Sequence, residues 1–299
     1  MGRLDGDRRR QVLLGIALMI GAVAGFACID ATAKALNRSL NPLLVVAARY
    51  VGSFVLVVLV LSPRRGSIGL LRSRRPALQV FRSVCLVIAT VCSFFALRSM
   101  PLAQVTSITF ASPLIVALIA GPLLGERIGW RRLAAVLAGF AGVLVVARPG
   151  LGMPPAALLA VVTATVNGIY IVATRMLAAH DPPETTMLYT GLVGAVVTAP
   201  ALVLLWESPP DLATWIGLFA IGGFGTLGHW LLILAHRHAP ASTLAPFGYA
   251  HLLWALLIGF AVFGDVPDRW TLLGGAVVTA AGLFLIAEER RLAAIGRRS

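Results

Sequence analysis

A chain of 299 residues that is 59% hydrophobic and 12% charged, with a mean hydropathy of +0.90, has too few polar side chains to cover a water-soluble domain of its size. The net charge of +13 does not point to nucleic acid, because the arginines fall in short runs between apolar stretches and do not line one face. The expected surroundings are a lipid bilayer, with no nucleic-acid partner.

About ten apolar stretches of roughly 20 residues, the length that crosses a hydrocarbon core of about 30 Å, run at 11–36, 41–62, 76–98, 101–122, 132–148, 154–178, 183–206, 211–236, 240–263 and 270–288. The first begins behind Arg8, Arg9 and Arg10, as a signal peptide would, but continues past Asp30 without a small-x-small cleavage site and reads as a retained helix. Between the stretches stand helix stoppers: Asn41-Pro42, Ser62-Pro63, Met100-Pro101, Arg148-Pro149-Gly150, Pro182-Pro183, Pro209-Pro210 and Ala239-Pro240. Cys28, Cys85 and Cys92 lie inside apolar stretches and read as small hydrophobes, which gives neither a disulfide framework nor a metal site. Lys34, the only lysine, follows no glycine-rich loop, so an ATPase phosphate cradle is absent and no cofactor is expected.

Cytoplasmic loops collect Lys and Arg. With the N-terminus inside, that side receives Arg3 with Arg8 to Arg10, then Arg64, Arg65, Arg72, Arg74 and Arg75. It also receives Arg127, Arg131, Arg132, Arg237, Arg290, Arg291, Arg297 and Arg298, against Arg38, Arg98, Arg148 and Arg269 opposite. Both termini are therefore expected in the cytoplasm. A shift of about 139 residues lays 96–126 over 235–265, matching Pro101 with Pro240, Phe110 with Tyr249 and Gly125-Glu126 with Gly264-Asp265. One extra loop residue then puts Trp130 over Trp270 and Ala141-Gly142 over Ala281-Gly282, and a weaker match puts Lys34 on Arg175. The chain reads as a duplicated five-helix unit, residues 1–150 and 151–299. Because five is odd, the second copy enters the membrane upside down. The expected fold is all-α, ten transmembrane helices in two inverted repeats, an architecture that places a carrier's site near mid-membrane.

Several of these residues form an ordered set. Arg82 stands near the start of the third helix and Phe94-Phe95-Ala96-Leu97 at its end, followed by Met100-Pro101-Leu102-Ala103, Pro113, Gly125-Glu126, Trp130, Gly139 and Gly142. The second half repeats the set as Leu234-Ala235, Ala239-Pro240-Ala241, Gly264-Asp265 and Gly282. Over almost its whole length the chain resembles the drug/metabolite transporter superfamily, in its EamA-type branch of ten-helix exporters. The resemblance implies export of small metabolites through a bacterial inner membrane, with aromatic or neutral amino acids as the substrate expected first. Asp265 departs from it, since the family usually has a second glutamate there.

The ninth helix carries Thr243, Phe247, His251 and Trp254 at i, i+4, i+8 and i+11, one stripe of a regular helix. A titratable imidazole at that depth is expected to face a cavity, with Phe247 and Trp254 flanking a flat apolar substrate; interhelical packing is the alternative. His229 and Trp230 in the eighth helix make a weaker case of the same kind. Arg49, about eight residues into the second helix, needs a partner there, either Asp30 or a substrate carboxylate, while Lys34 competes for Asp30 at i, i+4. Asn167 and Tyr170 in the sixth helix, Gln79 in the third, and Thr106, Phe110 and Ser112 in the fourth offer polar groups and rings for a cavity wall, or single interhelical hydrogen bonds. Arg82, Glu126 and Asp265 read as helix-end charges. Pro113 and Pro246 each break a helix and could serve as hinges. A membrane-embedded enzyme would need a clustered constellation, and a channel a ring of matched pore residues; neither pattern is visible.

Overall fold

A computed structural model describes residues 2–65, 71–124, 130–148, 154–178, 180–239 and 241–295. Ten spans follow in chain order: α1 (Gly2–Leu36), α2 (Pro42–Arg65), α3 (Pro76–Ser99), α4 (Leu102–Thr109 and Ser112–Leu124), α5 (Trp130–Ala147), α6 (Ala156–Ala178), α7 (Pro183–Leu204), α8 (Leu212–His238), α9 and α10 (Arg269–Ile295). α9 has three parts, Ala241–Leu244, a 3₁₀ turn at Ala245–Tyr249, and Ala250–Phe263. Among the described residues nine helices are long and apolar enough to cross a bilayer, and Leu133–Ala147 in α5 is a shorter one.

The stoppers act as their chemistry requires. Pro42, Pro76 and Pro183 open α2, α3 and α7, where a missing N–H leaves nothing unsatisfied. Asp211 caps α8 by accepting from the Thr214 backbone N–H at 2.7 Å, and Asp268 caps α10 through Thr271 at 2.8 Å. α9 ends on Gly264 at φ 68°, and the Asp265 N–H then reaches the Gly259 carbonyl at 3.0 Å. That left-handed closure is the reason for glycine before the acidic residue in this motif; the matching Gly125-Glu126 lies outside the described residues.

α1 lies along α8 and α3 along α6, while α2 packs on α7, α5 on α10 and α4 on α9. Exchanging the two five-helix sets converts the first contact into the second and maps each of the other three onto itself. The fold is therefore two inverted five-helix repeats. Where α5 meets α10 the backbones touch: a Cβ on Gly142 would lie 2.9 Å from the Gly274 carbonyl oxygen, so glycine is required for that approach.

At one end of the bundle the chain before α3 is tied to the α6–α7 connection. Asp181 accepts from Ser73 Oγ at 2.5 Å, the Arg74 N–H at 2.8 Å and Gln79 Nε2 at 2.9 Å. Burial works against ionisation of Asp181, but these three donors outweigh it and hold the carboxyl below its ordinary value. A carboxyl lowered in the folded state contributes stability that is fully present above about pH 4 and is lost as pH falls through the folded value. Asp181→Asn is therefore expected to lower the unfolding temperature at neutral pH and to flatten its dependence on pH below about pH 4. Thermal unfolding in detergent at a series of pH values checks both.

Candidate functional site

A cavity of about 390 Å³ opens between the halves, lined from seven of the ten spans, a volume suited to a small metabolite. Its position follows from the broken helices. Pro113 has no N–H and its ring would collide with the Thr109 carbonyl, so α4 stops at Thr109 and restarts at Ser112. The Thr109 carbonyl accepts from Ser112 Oγ at 2.7 Å, and Asn167 Nδ2 donates to Ser112 Oγ at 3.2 Å. Pro246 sits in the 3₁₀ turn of α9. The two breaks meet: Phe110 and its repeat counterpart Tyr249 stack with centroids 4.9 Å apart at 26°.

Asp30 (α1), Arg49 (α2), Phe110, Ser112 and Pro113 (α4), Asn167 and Tyr170 (α6), His229 (α8) and His251 (α9) all line this cavity. Phe26 stands edge-on to His229 at 5.0 Å, and Phe110 edge-on to His251 at 5.9 Å. The regular stripe expected on the ninth helix does not form, because a 3₁₀ turn advances three residues per turn and shifts the phase of Thr243 and Phe247 against His251. Phe247 and Trp254 are half-buried away from the cavity wall, as is Trp230, which packs with Val57 and Leu188. Gln79 is fully buried at the end of the bundle, donating to Asp181 and to Thr186, and not in the cavity.

The charges also pair differently from expectation. Asp30 Oδ2 lies 3.3 Å from His251 Nε2, within ion-pair reach although the nitrogen has no aligned hydrogen bond, so it pairs with neither Arg49 nor Lys34. Lys34 crosses to the other repeat, binds Asp265 and lies 4.9 Å over the Phe263 ring; Arg148 pairs with Asp268 at the same end. Arg49 donates to Thr90 Oγ1 at 2.6 Å and lies 5.0 Å over the Tyr50 ring. Among the described residues it has no carboxylate partner.

Arg82 is the residue that sequence reading undervalued. It is 4% exposed, donating from Nε to Thr174 Oγ1 at 2.7 Å, from Nη1 to Thr190 Oγ1 at 2.6 Å and from Nη2 to the Tyr170 hydroxyl at 2.7 Å. Its guanidinium also lies 4.5 Å from the Tyr170 ring. Standing almost two turns into α3, it is too deep to cap a helix end; depth was the available signal. Through Tyr170 it fixes one wall of the cavity and joins α3 to α6 and α7. Among the described residues no three His, Cys, Asp or Glu side chains converge as a metal would require. Among the described residues the cavity wall carries Arg49 without a carboxylate partner, the Asp30 carboxylate and several rings, groups that can bind and orient a solute.

The model of the EamA-like transporter family matches residues 13–148 and again 154–287. The S-adenosylmethionine uptake transporter of Rickettsia bellii is 26% identical to this chain over 289 residues, covering 95% of this chain and 97% of the relative. The riboflavin transporter of Vibrio cholerae is 27% identical, covering 95% and 96%. The pseudopaline exporter CntI of Pseudomonas aeruginosa is 29% identical, covering 91% and 95%. A crystal structure with 22% identity superposes with a TM-score of 0.65 over 95% of this chain and 98% of its own length, a likeness of fold.

Proposed function

We propose, since this chain belongs to the EamA-like transporter family, that it is a secondary carrier moving small metabolites with a carboxylate, an ammonium group and a flat ring, aromatic amino acids being the simplest. The family and the named relatives are transporters of small molecules, and the chain is a multi-pass membrane transporter, not an enzyme. Substrate, direction and mechanism are the proposal. The observation that carries it is Arg49, a cavity-facing cation with no carboxylate partner among the described residues, in the same ring-walled chamber as Asp30. A substrate carboxylate supplies what Arg49 lacks, its ammonium faces Asp30, and its ring meets Phe26, Phe110 and Tyr170.

In this reading residues 1–150 and 151–299 rock as two units about the breaks at Pro113 and Pro246, opening the cavity alternately to each side. Both termini face the cytoplasm, on the side that collects the arginines of 64–75 and 290–298, and net movement is outward across a bacterial inner membrane. Relatives named for uptake and for export share one family, as expected of carriers whose direction follows gradients.

The test is counterflow in liposomes holding the purified chain, with labelled L-tryptophan as probe and unlabelled amino acids, S-adenosylmethionine and riboflavin as competitors. Accumulation of tryptophan, displaced by phenylalanine more strongly than by alanine, is expected. Competition by S-adenosylmethionine or riboflavin with none by any amino acid would transfer the site to another solute class.

A further inference from the structure

We propose that Asp30 and His251 form a one-proton exchange site, at which a substrate ammonium displaces the proton from His251 and makes the protein a proton/substrate antiporter. The inference rests on the carrier reading above and adds its driving force. The two side chains come from opposite repeats, α1 and α9, and both open onto the cavity, with side-chain exposures of 23% and 19%. Asp30 Oδ2 and His251 Nε2 are 3.3 Å apart without good hydrogen-bond alignment. The pair is close enough to share a proton, and Asp30 is the side from which a solute reaches it, since His251 Nε2 itself is buried against the carboxylate.

The exchange balances. Asp30 carboxylate with His251 imidazolium, plus a substrate ammonium, gives Asp30 carboxylate with the ammonium, neutral His251 and one released proton, with net charge +1 before and after. No bond to carbon is made or broken. Exclusivity comes from charge: Arg49 already contributes one cation to the chamber, and an imidazolium and an ammonium together on one carboxylate would add a repulsion that a low-dielectric cavity screens poorly.

The neighbouring ionisable groups are either bound elsewhere or packed among apolar and ring neighbours. On α1, Lys34 is bound to Asp265 and Cys28 is an apolar-site thiol. On α2, Arg49 and Tyr50 share Thr90; on α3, Arg82 is held by Thr174 and Tyr170 of α6 and Thr190 of α7, with Cys85 and Cys92 as free thiols. On α8, His229 packs on Phe26, and on α9, Tyr249 stacks on Phe110. α4 carries no ionisable side chain, and those of α10 lie at its two ends. Among the described residues Asp30 is thus the one carboxylate lining the cavity, and His251 is the protonatable group within ion-pair reach of it.

The full chain in liposomes, with labelled L-tryptophan as probe and the membrane potential clamped, tests this. Counterflow at equal pH reads the carrier function alone. A lumen one pH unit more acid than the outside reads the coupling: antiport of one proton accumulates tryptophan in the acid lumen, up to about tenfold over the equal-pH control. In His251→Gln the ratio of gradient-driven to equal-pH accumulation falls to one while counterflow persists, whereas Asp30→Asn, which removes the carboxylate that meets the ammonium, loses counterflow and accumulation together. Counterflow in the native chain with a ratio of one, or accumulation on the alkaline side, overturns the exchange and leaves the carrier reading standing. No counterflow with tryptophan or any competitor overturns both. Should a variant elute as aggregate in gel filtration, His251→Asn replaces it, and the native-chain arms decide in any case.

Discussion

Arg49→Ala is expected to cut tryptophan counterflow at least about thirtyfold, the equivalent of about 2 kcal/mol, the lower end for truncating one member of a desolvated charge pair. The cavity keeps its walls, because among the described residues Arg49 is held through Thr90 and the faces of Tyr50 and Phe94. Arg49→Lys restores a charge without the planar fork that grips a carboxylate on two oxygens, and an intermediate rate is expected. The loss should fall on binding: half-saturation rises for tryptophan and hardly changes for a competitor lacking a carboxylate. Equal loss for both kinds of solute would make Arg49 a packing residue.

Gly282→Ala is expected to give a large loss of stability. A Cβ there would lie 1.5 Å from the Tyr249 hydroxyl and 2.6 Å from Cζ, so the ring must leave its stack on Phe110. Overpacking of this kind costs about 1–3 kcal/mol, occasionally more. The Tyr249 hydroxyl is buried without a hydrogen-bond partner, so Tyr249→Phe alone should be neutral or slightly stabilising. Combined with Gly282→Ala it should recover part of the loss, since the nearest clash is removed while Cζ stays close. Unfolding of the four proteins in detergent forms a double-mutant cycle; no coupling between the two sites would place the cost of Gly282→Ala elsewhere.

The helices were legible because bilayer thickness imposes a length that apolar runs display directly, and the repeat because one offset of about 139 residues lays the second copy over the first. The shift that matched Phe110 with Tyr249 pointed to two residues that touch. Pro113 and Pro246 marked the broken helices, but the sequence does not show whether a proline kinks an α-helix or opens a 3₁₀ turn. That difference shifted Phe247 against His251, which stayed on the wall; Trp254 lies off the wall although it shares the regular helix with His251. The ion pairs were illegible for another reason. Lys34 and Asp265 are 231 positions apart, and local spacing favoured Asp30 with Lys34. Arg82 failed on a different rule: its place near the start of the third helix read as a helix-end charge, whereas it is buried and satisfied by threonine hydroxyls and a tyrosine.

Two inverted halves with one chamber between them should expose the same wall residue to both sides of the membrane in turn. The direct measurement places a single cysteine at Ser93, on the cavity wall, in a chain whose Cys28, Cys85 and Cys92 have been replaced. A membrane-impermeant maleimide is then applied to one face of oriented liposomes or to the other. The account predicts modification from both faces, slowed from each by saturating tryptophan. Modification from one face alone, unaffected by tryptophan and by every competitor, would contradict it.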